Sequence, residues 1–232
     1  MRRRMRHHRH HAGFTLVELL VALSVMAVLA ILSWRGIDGM ARVQAQTQAR
    51  TDDVLALQAA LGQWTADLDA LQQLPRQNAI DWDGRVLRLT RRPATVGVDG
   101  ALVVAWTRRV IDGGSQWLRW ESPPLRTRGE LDQAWERAGL WAQNPGDEER
   151  QREVRITPID EWQIFYFRAD AWTNPLSSEG QVALPPGVVA PAANASTVPE
   201  GVRLVLTLPD GKTLSGRIVR DWVRPTVGGG KS

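Results

Sequence analysis

Residues 16–32, LVELLVALSVMAVLAIL, form an apolar run in which Glu18 is the only charged side chain and Ser24 the only other polar one. With the flanking aromatic residues Phe14 and Trp34, the segment reaches about 20 residues, the length that an α-helix needs to cross the hydrocarbon layer of a membrane. Arginines, but no acidic residues, precede the run. Because basic flanks stay on the cytoplasmic side, we expect one transmembrane helix with the rest of the chain beyond the membrane.

A cleaved secretory signal is the main competing interpretation of this segment. Such signals have an apolar stretch of about 7–15 residues followed by a small-x-small cleavage site. The run here is longer, and the residues after it, SWRGIDGMARVQ, continue a helical pattern with no obvious cleavage site. Glu18 is also unusual for a signal, since a carboxylate within a membrane helix is costly to bury and needs a partner. We therefore interpret Glu18 as a functional residue.

The composition beyond residue 13 excludes several classes of function. All 4 histidines lie in residues 1–13 and the chain has no cysteine, which removes His- and Cys-based catalysis and zinc sites from the rest. Five of the 29 Lys and Arg residues also precede residue 14, and the remaining 24 nearly balance 25 Asp and Glu, so no nucleic-acid-binding face is expected. The acidic runs at 52–53 and 147–149 lack the spacing of a calcium loop. We predict no catalytic, cofactor-binding or metal-binding residue and no enzymatic activity.

A polar helix with one apolar stripe is predicted for residues 35–74. The stripe residues are spaced three and four apart: Val54, Leu57, Leu61, Trp64, Leu68 and Leu71. The polar residues taken to lie off the stripe are Asp52, Asp53, Gln58, Gln63, Asp67, Asp69, Gln72 and Gln73. Pro75 disfavours helical geometry at Leu74 and predicts the end of the helix there. We expect the stripe to pack on the chain's own globular domain, with contact to a partner as the alternative.

The chain beyond Pro75 is predicted to be mainly β. Candidate strands, separated by Asp-Gly and similar turns, are Val86–Thr90, Ala101–Thr107, Gln116–Glu121, Glu153–Ile159, Trp162–Arg168, Val202–Leu208 and Thr213–Val219. The turn at 210–211 predicts a hairpin between the last two. A short helix is predicted at 130–142, a mobile Pro/Ala/Gly-rich loop at 177–199 and a disordered tail at 227–232.

Tryptophan is unusually abundant, with 11 residues against 3 Phe and 1 Tyr. Trp117 and Trp120 lie three apart on one predicted strand and therefore on opposite faces, so we expect at most one of them in the core. Packing within the core or a filament is the favoured interpretation of the tryptophans. Binding of sugar or of a protein partner is the alternative.

The hexapeptide at residues 13–18, GFTLVE, resembles the prepilin-type N-terminus of type IV pilins and type II secretion pseudopilins. The resemblance implies cleavage by prepilin peptidase between Gly13 and Phe14, followed by N-methylation of Phe14. It also implies a role in filament assembly for Glu18, the fifth residue of the processed chain. Its carboxylate would pair with the amine on Phe14 of a neighbouring subunit, which offsets the cost of burying it.

Features further along the chain resemble the J-type minor pseudopilins of type II secretion. They are RGIDG at 35–39, WAQNP at 141–145, the strand at 162–168 followed by DAW at 170–172, and PEGVR at 199–203. The resemblance implies a subunit of the bacterial inner membrane with a periplasmic domain. It further implies that I- and K-type minor pseudopilins are its partners in a pseudopilus tip complex, which initiates assembly for the export of folded proteins.

The predicted fold is α+β and type IV pilin-like, with a long N-terminal helix packed against antiparallel sheets. The predicted segments are a cleaved leader at 1–13, a transmembrane helix at 14–34, an amphipathic periplasmic helix at 35–74, a β-rich periplasmic domain at 75–226 and the tail at 227–232. Two other functions remain open from the sequence. One is a minor pilin of a type IV pilus, serving priming, adhesion or DNA uptake, and the other is a membrane-anchored periplasmic carbohydrate-binding module.

Overall fold

The structure is a computed structural model that describes residues 14–95, 97, 99–176, 198–211 and 214–225. The elements run in the order α1 (Leu16–Asp69), β1 (Ile80–Trp82), β2 (Val86–Arg91), β3 (Leu102–Ile111), β4 (Gly114–Glu121), α2 (Arg128–Gln143), α3 (Asp147–Gln151), β5 (Glu153–Pro158), β6 (Glu161–Arg168), β7 (Ala171–Thr173), β8 (Gly201–Leu208) and β9 (Gly216–Val223). The fold is α+β, as predicted. The chain divides into two compact units, 1–49 and 50–232.

The described part of the first unit belongs almost entirely to α1. Every residue of 14–49 is exposed. Among the described helices, α1 is the one that is long and apolar enough to cross a membrane, judged by length and composition.

The part of α1 in the second unit packs on the domain through the predicted stripe. Leu57, Trp64 and Leu68 are buried in one core with residues of both sheets, while Leu61 packs at its edge. This burial confirms that the stripe serves the chain's own fold. Two polar residues thought to lie off the stripe, Asp67 and Asp69, are described with the site below.

The predicted end of α1 at Leu74 is wrong, because the helix stops at Asp69. Leu71 instead forms a β-bridge with Arg91, and the N–H of Gln72 donates to the C=O of Thr90 at 2.9 Å. The end of β2 thus competes for the backbone groups that would continue the helix. Pro75 disfavours helix at the residue before it, but it does not determine that the helix ends earlier, at Asp69.

Within the described residues, nine strands form two antiparallel sheets, in the orders β1-β2-β3-β4-β5 and β7-β6-β8-β9. The predicted hairpin around 210–211 is confirmed as β8–β9. Its second strand begins and ends later than predicted, and its first residue, Gly216, has a positive φ of 98°. The three-residue strands β1 and β7 and the short helix α3 were not predicted. The predicted loop at 177–199 and tail at 227–232 fall mainly outside the described residues.

The first sheet is covered on both faces, which corrects the expectation for two tryptophans. Trp117 faces the core shared with α1 and the second sheet, and Trp120 faces a second core shared with α2. They lie on opposite faces, as predicted, yet both are buried, with exposed fractions of 0% and 2%. The expectation that at most one joins the core is therefore wrong. It assumed a solvated outer face, whereas α2 packs its alanines, Trp141 and Leu131 there.

Candidate functional site

The N-terminal segment is the candidate site that the sequence singled out. Gly13 lies outside the described residues, and Phe14 precedes α1 with 83% of its surface exposed. Glu18 lies in the first turn of α1. Its Oε2 accepts hydrogen bonds from the Thr15 N–H and Oγ1, both at 3.0 Å, and its own N–H donates to the Thr15 Oγ1 at 3.3 Å.

The two bonds from backbone N–H groups are the capping box of the Ser/Thr-x-x-Glu pattern, in which the side chains of Thr15 and Glu18 satisfy backbone donors at the start of a helix. This capping role of Glu18 was not predicted from the sequence. The Thr15–Glu18 spacing was the signal that would have revealed it. Both bonds to the carboxylate end on Oε2, and Oε1 accepts none from the described residues.

The helix that follows presents an unusual amount of apolar surface. The large aliphatic side chains between Leu16 and Leu32 are each more than half exposed. Ser24, the second polar residue of the run, donates its hydroxyl to the C=O of Leu20 at 2.8 Å and needs no other partner. A continuous apolar surface of this size is unfavourable in water and marks a membrane or protein contact.

Asp67 is a buried residue that the sequence analysis missed. Its side chain is fully buried, and its oxygens accept bonds from the Nε1 of Trp106 at 3.0 Å and from Arg119 at 2.8 and 2.9 Å, and also from Arg91. The signal was present, because Asp67 stands three residues after Trp64 and therefore shares its helix face. Two guanidinium groups converge on one carboxylate, and so α1 is joined to β2, β3 and β4.

The arginine on β4 has a second acidic partner. Arg119 also donates to Glu121 at 2.5 Å. Burial acts to lower the pKa of Arg119, but its hydrogen bonds to Asp67 and Glu121 outweigh this and raise the pKa above its ordinary value. The guanidinium is therefore held in its charged form within the domain.

Asp69 makes the corresponding link to the second sheet. The indole Nε1 of Trp222 on β9 donates to the Asp69 Oδ1 at 2.7 Å. Asp67 and Asp69 are two residues apart at the end of α1, and each holds an indole from a different sheet. The arrangement anchors a helix to a domain.

The acidic runs at 52–53 and 147–149 lie on α1 and on the first turn of α3, where Asp147 pairs with Arg150 at 3.1 Å. Within the described residues, no three His, Cys, Asp or Glu side chains are grouped so that they could hold a metal ion.

Tyr166, the one tyrosine of the chain, is buried, and this burial together with the charge of Asp81 raises the pKa of its phenol.

Most of the tryptophans are structural. Eight of the 11 are buried: Trp64, Trp82, Trp106, Trp117, Trp120, Trp141, Trp162 and Trp222. Trp135 and Trp172 are half-buried, and a guanidinium lies over each ring, that of Arg88 and that of Arg203. This confirms the packing interpretation for the eight, and a sugar-binding platform of exposed rings has no support in the described part of the domain.

Comparison with known proteins bears mainly on the N-terminal segment. The family model described as the prokaryotic N-terminal methylation motif matches residues 8–34, which contain Gly13, Phe14 and Glu18. No curated protein matches the chain. Among solved structures, a chain of the GspK-GspI-GspJ complex from the enterotoxigenic Escherichia coli type 2 secretion system matches with a TM-score of 0.43 and 17% identity, covering 74% of this chain and 96% of that one. The N-terminal segment of this protein is therefore prepilin-like.

Proposed function

We propose that this protein is a minor pseudopilin of the J type in a type II secretion system. In this role it is anchored in the bacterial inner membrane by residues 14–34 and holds its α+β domain in the periplasm. The observation that carries the proposal is the prepilin-like motif at 8–34, which includes the start of α1, where the large apolar side chains of 16–32 are exposed. The features at 35–39, 141–145, 162–172 and 199–203 support the J type.

The first step of the proposed mechanism is processing. Prepilin peptidase cleaves between Gly13 and Phe14, and the new amine of Phe14 is methylated. The exposure of Phe14 ahead of the first helical turn supports access by a processing enzyme, because cleavage needs an extended and reachable backbone.

The second step is lateral assembly of helices in the membrane. Oε2 of Glu18 caps its own helix, while Oε1 receives the positively charged amine of Phe14 from a neighbouring subunit. Opposite charges about 4 Å apart interact far more strongly in a low-dielectric layer than in water, so this pair sets the axial register. The exposed aliphatic side chains of 16–32 then pack against lipid or against the helices of other pseudopilins.

The third step is selection of neighbours by the periplasmic domain. There the protein joins I- and K-type minor pseudopilins in the tip complex that starts pseudopilus assembly. The bonds that Asp67 and Asp69 accept support this role, because they attach the end of α1 to both sheets.

A minor pilin of a type IV pilus is the second candidate, because the N-terminal methylation motif is compatible with either assembly. Both candidates share the processing and helix-packing steps. They differ in the partners of the domain and in what the finished filament does.

Two measurements test the proposal. Intact mass spectrometry of the protein from its native membrane should show a chain that starts at Phe14 and carries one extra methyl group. Deletion of its gene should abolish export of folded proteins and leave surface pili unchanged. A chain with an intact leader, or cut after residue 34, would overturn the prepilin assignment. Loss of pili with normal secretion would select the type IV pilus.

A further inference from the structure

The second sheet has an unusually long open edge. Of the four strands that end the two sheets, β1 and β7 have three residues each, and β5 has six and finishes at Pro158. β9 has eight residues, and no described segment pairs with its outer side. Proteins usually shorten, bulge or cover such edges, because an open edge is a ready template for another strand.

The hydrogen-bond pattern identifies the backbone groups at this edge. The N–H of Arg224 donates to the C=O of Glu200 at 2.8 Å, next to the opposed pair Val223 and Gly201. Antiparallel bonds alternate along a strand, so the even-numbered residues of β9 bond to β8 and the odd-numbered ones direct their N–H and C=O groups outward. The outward set is Arg217, Val219, Asp221 and Val223.

The same four residues place their side chains on the outer face of the sheet, since side chains alternate with period two. Val219 is 50% exposed, with Arg217 two residues before it and Asp221 two residues after it. Around Val219 the edge is therefore self-complementary in charge. A strand with the same sequence, laid antiparallel and centred on Val219, brings an arginine opposite an aspartate on both sides.

We propose that two copies of this protein pair through β9 about a two-fold axis at Val219, joining their four-stranded sheets into one of eight strands. Arg217 of each copy then lies opposite Asp221 of the other copy, and Val219 lies opposite its counterpart. Opposite charges directly across an antiparallel pair are favourable, and like charges are not. This inference stands independently of the proposed function.

Three other registers of the same pairing place like charges together. Centring the pair on Asp221 opposes two carboxylates, and centring it on Arg217 or Arg220 opposes two guanidinium groups. Asp221 already accepts two bonds from Arg203, both at 2.7 Å. Its side chain is still 39% exposed, and a carboxylate has about four acceptor positions, so it can also accept from Arg217 of the second copy.

Disulfide trapping tests this register directly, because the chain contains no cysteine. In the proposed pair, the two Val219 Cα atoms are about 5.5 Å apart, within the range that a disulfide spans. The full-length V219C protein in its native membrane should therefore form a cross-linked dimer under mild oxidation. V223C is the matched control: Val223 is more exposed, at 71%, but its two copies lie eight residues apart along the paired strands, about 27 Å.

A charge-reversal variant provides a second test of the proposed pairing. In the V219C background, R217E should reduce the yield of dimer at least fivefold, because the introduced carboxylate faces Asp221 of the second copy. R220E makes the same change of charge at an even-numbered position and should leave the yield within twofold. The protein without cysteine should run in mild detergent with the mass of two chains, and its R217E variant with the mass of one.

Three results would overturn the proposal. The first is an equal yield of cross-linked dimer from V219C and V223C. The second is no dimer from a V219C protein whose native tryptophan emission shows that it is folded. The third is an equal loss of dimer yield from R217E and R220E. Cross-linking of V219C to a different protein in place of a second copy would assign the edge to another partner and reject self-pairing.

Discussion

The indole of Trp222 donates a hydrogen bond to the carboxylate of Asp69 at 2.7 Å, across 153 residues of sequence. The bond joins the last residue of α1 to the edge strand of the second sheet. Two residues earlier, Asp67 holds Trp106 of the first sheet in the same way at 3.0 Å. The end of one helix is thereby attached to both sheets by charged hydrogen bonds.

The Asp69–Trp222 bond predicts a measurable coupling between the two residues. W222F keeps most of the buried ring but loses the donor, and D69N keeps an acceptor but loses the charge. A hydrogen bond to a charged group contributes about 1.5–3 kcal/mol and one to a neutral group about 0.5–1.5 kcal/mol. Because D69N removes the charge but keeps the acceptor, a double-mutant cycle should give a coupling free energy of about 1 kcal/mol. Urea unfolding of the full chain in mild detergent, followed by tryptophan fluorescence, measures it.

Trp117 provides the control for that cycle. Its Nε1 is buried with no hydrogen-bond partner among the described residues, so W117F should lose packing only. The coupling between W117F and D69N should lie within about 0.5 kcal/mol of zero, as expected for residues without a shared bond. A coupling as large as that of W222F would contradict the assignment of the bond.

Asp67 should be the most sensitive single charge in the domain. D67N removes the charge that balances two buried guanidinium groups, and breaking a buried ion pair costs about 3–5 kcal/mol. The free energy of unfolding should fall by that amount. D147N removes an exposed partner of Arg150 and should change it by less than about 1 kcal/mol. Equal effects of the two changes would reject the importance of the buried network.

Gly100 should resist replacement for a backbone reason. It has a φ of 115°, and a Cβ there would overlap the backbone oxygen of Leu125. G100A should therefore lower the free energy of unfolding by at least about 1 kcal/mol, because both strain and overlap are introduced. Gly62 lies in α1 with open space around it, and G62A should raise stability by about 0.5–1 kcal/mol.

Asp221 should titrate below the ordinary aspartate range. Its hydrogen bonds to Arg203 lower the pKa of the carboxyl group, so the pair contributes stability above the ordinary value and loses it as the pH falls through the lowered one. NMR titration of the carboxyl carbon of Asp221 measures the midpoint. R203Q should raise that midpoint towards the ordinary value, and an unchanged midpoint would show that another group holds the carboxylate charged.

Glu18 has two separable roles, and substitution distinguishes them. E18A should still be cleaved after Gly13 but should assemble poorly. Glutamine can cap a helix as glutamate does, yet it carries no charge to pair with an amine. If charge pairing sets the register, E18Q should therefore assemble as poorly as E18A. Normal filaments from E18Q would limit the role of Glu18 to capping, and normal secretion with E18A would count against the register mechanism altogether.

The local pattern of the sequence was sufficient for the secondary structure near strong signals. The apolar run, the stripe from Val54 to Leu68 and the hairpin at 210–211 follow from periodicity and turn chemistry, which act within a few residues. The Thr15–Glu18 capping box was equally local, and its spacing alone was enough to predict it. The strands β1 and β7 are too short for a period to emerge.

The tertiary structure decided the features that depend on what covers a surface. Trp120 is buried only because α2 packs on the second face of the first sheet, and α1 ends at Asp69 because β2 supplies partners for Leu71 and Gln72. Asp67 is a buried junction because Arg91 and Arg119 come from strands far along the chain. By itself the sequence determined the prepilin-like segment, the apolar helix and the alternation of the strands. Burial and charge pairing between distant residues were left to the fold, because they depend on which segments meet in space.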